Sequence, residues 1–116
     1  MKRRIVHFEI GCQDIEKASE FYKTVFNWEL ERHGNSAVIK TEAEHSLSGH
    51  INQLGPEDLQ RYITIYIETD SLEKDLRVIK EKGGEIIVAP VQLPDGRKFA
   101  WFQDISGNIL GLITPK

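Results

Sequence analysis

The chain says the same thing twice, and this constrains its fold more than any other feature. Residues 4–12, RIVHFEIGC, alternate with a period of two, Val6, Phe8 and Ile10 on one face and Ile5, His7 and Glu9 on the other. That pattern predicts a strand. Asp14 then stands where a helix N-cap belongs, with Glu16 in the first turn. Ile15, Ala18, Phe21, Tyr22, Val25 and Phe26 follow at helical spacing and give one apolar stripe. NWELERHG and NSAVIKTE read as a hairpin turning at His33-Gly34-Asn35, and a short strand is expected near SGHINQ. After the turn-rich LGPEDLQ the order restarts. RYITIYIETD alternates, Asp70 and Glu73 read as a capping box ahead of Leu72, Leu76 and Ile79, and Gly83-Gly84 closes the helix. EIIVAPVQL, RKFAWFQD and NILGLIT supply three more strands, with turns at Pro94-Asp95-Gly96 and Ser106-Gly107-Asn108. Each half is strand, helix, three strands, which predicts a duplicated βαβββ unit.

One helix covers one face of its sheet. The plainly apolar sets belong on that face: Val6, Phe8, Ile10; Ile63, Ile65, Ile67; Leu110, Leu112. The other face is mixed. It carries His7 and Glu9, then Tyr62, Thr64, Tyr66 and Glu68, then Phe99, Trp101 and Gln103, then Ile109, Gly111 and Ile113. Aromatics beside a few polar groups suit a ligand pocket. The same face would also suit a solvent-facing sheet or one covered by a second copy of the chain.

At 116 residues the chain is one domain in size. Its formal net charge of −3 argues against nucleic acid as a partner, and the basic cluster Lys2-Arg3-Arg4 reads as a solvated strand end. Cys12 is the only cysteine, so no intrachain disulfide can form and a reducing, cytoplasmic setting is expected. On the inward face of the first strand, its thiol would act as a small hydrophobe. No apolar run is long enough to span a bilayer, and no signal-peptide core is read at the N-terminus.

IVHFEIGCQDIEKASEFYKTVFNWEL, residues 5–30, resembles the opening of the vicinal oxygen chelate superfamily, the glyoxalase, bleomycin-resistance and extradiol-dioxygenase group. Its marks are a His on the first strand, an Asp before the helix, FY and VF within it, and an aromatic just after. FAWFQDISGNILGLI resembles the group's closing motif. The resemblance implies an α+β fold, a single domain over 1–116 with module one at 1–54 and module two at 60–116. The two βαβββ modules form a cupped mixed sheet around a ligand. It also implies a homodimer, and in the metal enzymes of the group a divalent cation held by one residue from each of four strands.

Against that pattern, His7 matches the first ligand position and Tyr62 falls on the third, where His is usual. The fourth, an acidic residue, falls on Gly111, in the middle of an apolar strand. A glycine there marks either a bulge or a place where something else needs room. The second position lies on His50, Ile51 or Asn52, of which His50 and Asn52 share a face. Among other donors, His7 and Glu9 share a face, His33 sits in a turn and His45 in an irregular stretch. Zinc, nickel, iron or manganese would need about three such ligands, and the set is thin. No cofactor is therefore expected, with a divalent metal as the alternative.

The expected ligand-binding residues are His7, Glu9, His50, Tyr62, Tyr66, Phe99, Trp101 and Gly111. Phe99 and Trp101 would stack on a planar ligand or pack a dimer; Trp28 reads as core or interface. Without a metal, His7 could bind a ligand carbonyl or act as a base, with Tyr62 or Tyr66 as phenolic donors. Spacing reveals no Ser-His-Asp or Cys-His arrangement. The leading expectation is metal-independent binding of a small organic molecule, as in the drug-sequestering members. The rival is a metal-dependent lyase or isomerase of the lactoylglutathione lyase (glyoxalase) type, and a sensor domain is a third reading.

Overall fold

A computed structural model describes residues 2–40, 47–55 and 62–116. The first strand, β1, spans Ile5–Cys12. Asp14 caps the helix α1, Ile15–Phe26, its carboxylate accepting from the backbone N–H of Glu16 and Lys17 at 3.1 Å each. Asn27 ends it in the left-handed conformation, with φ at 57°. Strands β2 (Glu29–His33) and β3 (Ser36–Lys40) form the predicted hairpin, with His33 paired to Ser36 across the turn. The strand expected near SGHINQ is β4, Ser48–Gln53.

The second copy follows the same order: β5 (Ile63–Glu68), α2 (Leu72–Glu81), β6 (Glu85–Gln92), β7 (Lys98–Gln103) and β8 (Ile109–Ile113). Its helix starts one residue later than the capping-box reading proposed. Ser71 is the N-cap, without a side-chain bond to the helix, and its hydroxyl donates instead to Asp70. The buried Thr69 hydroxyl takes the Ser71 N–H, which fixes the entry to the helix locally. Gly83, with φ at 100°, supplies the left-handed residue that closes α2.

Contacts divide the chain into two compact units, His7–Ile63 and the stretch up to Val6 together with Thr64–Lys116. In the first, the strands run in the order β2-β3-β4-β1, with β4 and β1 parallel and the other pairs antiparallel. In the second the order is β5-β8-β7-β6, with β5 and β8 parallel. The fold is α+β, eight strands in mixed pairing with two helices, as the duplicated pattern predicts. Arg3 and Arg4 are held in the second unit by Asp75 and Glu68, at 3.0 and 2.7 Å, so two members of this basic cluster are internally paired.

Each unit has its own core. Ile15, Ala37, Ile39 and Ile51 are buried in the first. Leu72, Leu76, Ala100, Phe102 and Leu112 cluster in the second, with Ile67, Ile79 and Leu110 packed against them. Two expectations fail here. Ile63, assigned to the helix-covered face, is 75% exposed, because it is the first residue of its strand. The α1 stripe is also wider than the surface it packs on: Ile15 is buried, while Phe21, Val25 and Phe26 are exposed and Tyr22 turns aside to stack on Trp28. Phe21 and Val25 line a shallow depression with Glu16, Lys17, Glu20 and Thr24.

Candidate functional site

Alternation along β1 sends His7, Glu9 and Gly11 to one face, and the parallel neighbour β4 brings Ser48 and His50 up beside them. The result is a single hydrogen-bonded line within the unit His7–Ile63. Ser48 Oγ lies 2.7 Å from His7 Nδ1. His7 Nε2 lies 2.7 Å from His50 Nδ1, the two rings stacked at 28°. His50 Nε2 lies 3.2 Å from Glu9 Oε1. Glu9 Oε2 accepts a hydrogen bond from the Tyr62 hydroxyl. The line runs from an exposed serine to a carboxylate only 4% exposed.

Tyr62 reaches Glu9 because Gly11 lets its ring lie flat on β1: a Cβ at residue 11 would overlap the ring. Burial pushes the Tyr62 phenol well above its ordinary pKa, and the hydrogen bond to Glu9 and the Glu9 charge add to this. The Asn52 amide opposes them, as its carbonyl accepts from Ser36. Tyr62 is therefore a donor to Glu9. A proton order follows from the two ends. Glu9 fixes His50 as the Nε2–H tautomer, leaving His50 Nδ1 to accept. In that tautomer His50 accepts from His7 Nε2–H, and His7 Nδ1 can accept from the Ser48 hydroxyl. The arrangement can receive a proton at His7 and spread the charge through His50 toward Glu9.

Chelation asks for something else. Ligands of one ion converge on a point, whereas these donors stand in series. The His50 ring lies between His7 and Glu9, with one nitrogen facing each. An ion on the His7 side would meet two nitrogens and no carboxylate. On the far side it would lose His7. Among the described residues no group of three His, Cys, Asp or Glu side chains could hold a metal ion. Among the described residues, then, these donors stand in series and do not close around a point.

The other expected residues lie in the second unit and do something different. Gly111 of β8 pairs with Tyr66 of β5 on one side and Trp101 of β7 on the other. Those two side chains meet, Trp101 Nε1 donating to the Tyr66 hydroxyl at 2.7 Å. A Cβ on Gly111 would overlap the Tyr66 ring. The glycine makes room, as its place in the strand suggested, but the occupant is the chain's own tyrosine. No bulge is recorded at residue 111; the bulged pair is β6 with β7. Phe99 meets the Tyr66 ring edge-on at 6.4 Å.

Of the remaining candidates, His33 is exposed beside Glu31, and His45 lies outside the described residues. Cys12 is half-buried, its thiol pKa raised by burial and by Asp14. Trp28 stacks on Tyr22 and tilts against Phe8 and Phe26. Sequence reasoning passed over Ser48, Gly11 and Gly49, the last covered by the Phe8 ring. The signal for Ser48 was present: in SGHINQ it shares a face with His50.

A family model described as Glyoxalase/Bleomycin resistance protein/Dioxygenase superfamily matches residues 4–112. Among solved structures, a hypothetical protein from Bacillus halodurans C-125 is 18% identical, with a TM-score of 0.75 over 100% of this chain and 96% of that one. A glyoxalase/bleomycin resistance protein/dioxygenase superfamily member from Vibrio splendidus 12B01 is 14% identical, with a TM-score of 0.71 over 98% and 100%. Streptomyces coelicolor methylmalonyl-CoA epimerase, in complex with 2-nitronate-propionyl-CoA, is 20% identical, with a TM-score of 0.67 over 96% of each chain. At these identities the likeness is one of fold. None of the curated proteins compared with the chain matches it in sequence.

Proposed function

The chain belongs to the glyoxalase/bleomycin resistance protein/dioxygenase superfamily, and from that membership we propose that it binds a small organic molecule through an acidic or carbonyl oxygen at His7 and His50, without a resident metal. The observation that carries this reading is the serial His7–His50–Glu9–Tyr62 line, in which the His50 ring stands between His7 on one nitrogen and Glu9 on the other. Such a line takes up or releases a proton at its outer end while its inner end stays fixed by Glu9 and Tyr62. An organic acid that gives its proton to His7 is held as a carboxylate against an imidazolium. An epimerase of the same fold solved with 2-nitronate-propionyl-CoA is in keeping with a small organic ligand. A cytoplasmic location and a homodimer belong to the same proposal.

The test is nitrogen-15 NMR of the imidazoles, run with a chelator present, during titration with a panel of small carboxylic and 2-oxo acids. Saturable shifts of the His7 and His50 signals, lost in His7→Ala, are expected. Metal analysis of the purified protein is expected to find no stoichiometric zinc, nickel, iron or manganese. Ligand-induced shifts that vanish with chelator, together with bound metal lost in His7→Ala, would replace this reading with the metal-dependent lyase.

A further inference from the structure

The outer end of the line has a second property, which shares the His7–His50 pair with the binding reading but does not depend on it. We propose that Ser48 is a nucleophile, with His7 as its general base, so that the chain can take an acyl group from a small activated carboxylic ester. The hydroxyl lies 2.7 Å from His7 Nδ1, within reach for that nitrogen to take its proton. A hydroxyl is a weak nucleophile until a base within hydrogen-bond reach removes its proton, and the base works best when a third group orients it. His50 and Glu9 are that third group, in two steps: His50 holds His7 by Nε2, and Glu9 holds His50. Nucleophile, base and anchor come from two neighbouring parallel strands, at positions two apart on each, which is why linear spacing hides them.

The chemistry balances with water as the second substrate. Ser48 Oγ bonds to the ester carbonyl carbon while its proton passes to His7 Nδ1. The ester C–O bond breaks, and His7 returns the proton to the departing alkoxide. A water molecule then bonds to the acyl carbon and gives a proton to His7. The bond to Ser48 Oγ breaks and Oγ recovers the proton, so ester and water become acid and alcohol with nothing oxidised or reduced. As His7 takes the proton, its positive charge is shared through His50 toward buried Glu9, which stabilises the charged intermediate. His7 and Ser48 touch the reacting atoms. His50 and Glu9 are positioning residues.

The experiment uses the whole protein and p-nitrophenyl acetate. Mass spectrometry should find one acetyl group on the peptide carrying Ser48, absent in Ser48→Ala. The rate of its formation should fall about a hundredfold in His7→Gln, the usual size of a general-base contribution. Glu9→Gln should slow it too, and nitrogen-15 NMR of that variant should show His50 leaving the Nε2–H tautomer, which a merely structural role for Glu9 would not require. Acetylation that persists in Ser48→Ala, or an unchanged rate in folded His7→Gln, would overturn the proposal. So would a wild-type protein that stays unlabelled and releases p-nitrophenolate no faster than Ser48→Ala does. If that unlabelled protein still shows His7 and His50 shifts with organic acids, only the acylation proposal falls and the binding reading stands.

Discussion

Tyr62 shows how a single residue can hold a site together from its hidden end. Its phenol is the last donor in the line, and its raised pKa means that it stays a donor to Glu9 beyond the ordinary phenol range. The neutral phenol is the stabilised form in the folded chain, so its contribution is complete below the unfolded value of 10.0 and is lost as pH rises beyond it toward the higher folded value. Tyr62→Phe is expected to cost about 1–3 kcal/mol at neutral pH, since a buried carboxylate loses a donor. The gap between wild type and variant in denaturant unfolding should close as pH rises above 10, and the absorbance of tyrosinate should appear later in the wild type. A gap that is flat with pH would mean that the phenol does not serve Glu9. The sequence made His7 and Glu9 legible through strict alternation, and it placed Tyr62 and His50 in the same set. It could not reveal their order. Which nitrogen meets which neighbour depends on the parallel register of β1 with β4, set by contacts between segments more than 35 residues apart.

At the scale of elements, the strands were more legible than the surfaces they present. Two-residue periodicity and turn glycines located β1, the β2–β3 hairpin and β8 because those signals are local. The exposed half of α1 was not legible, because an apolar stripe in sequence says nothing about how wide a sheet will cover it. Gly111 falls between these cases. Its oddity was readable, but the Tyr66–Trp101 bridge above it needs the neighbours on both sides of β8. Gly111→Ala is expected to cost about 1–3 kcal/mol, because the added methyl must displace a packed ring. The indole N–H signal of Trp101 should move with it. In a Tyr66→Ala background the same change should cost little or nothing, a non-additive pair in a double-mutant cycle. Additive costs would mean that the ring and the glycine are not in contact.

The molecule as a whole is two units with two cores, His7–Ile63 and the stretch up to Val6 together with Thr64–Lys116. Ile51→Ala in one and Leu76→Ala in the other are each expected to cost about 2–5 kcal/mol in denaturant unfolding, both being fully packed aliphatic side chains. A cost below about 1 kcal/mol at either position would mean that the cluster around it is not a core. The ring over Gly111 also bears on how such a chain can change over generations. A larger side chain at residue 111 would have to displace the Tyr66 ring. The tyrosine has to be surrendered first, at a cost in stability and with nothing yet gained in chemistry. Forms of this chain with glycine and with a larger residue at 111 would therefore be separated by a poorer intermediate, and selection acting one residue at a time would tend to keep each on its own side.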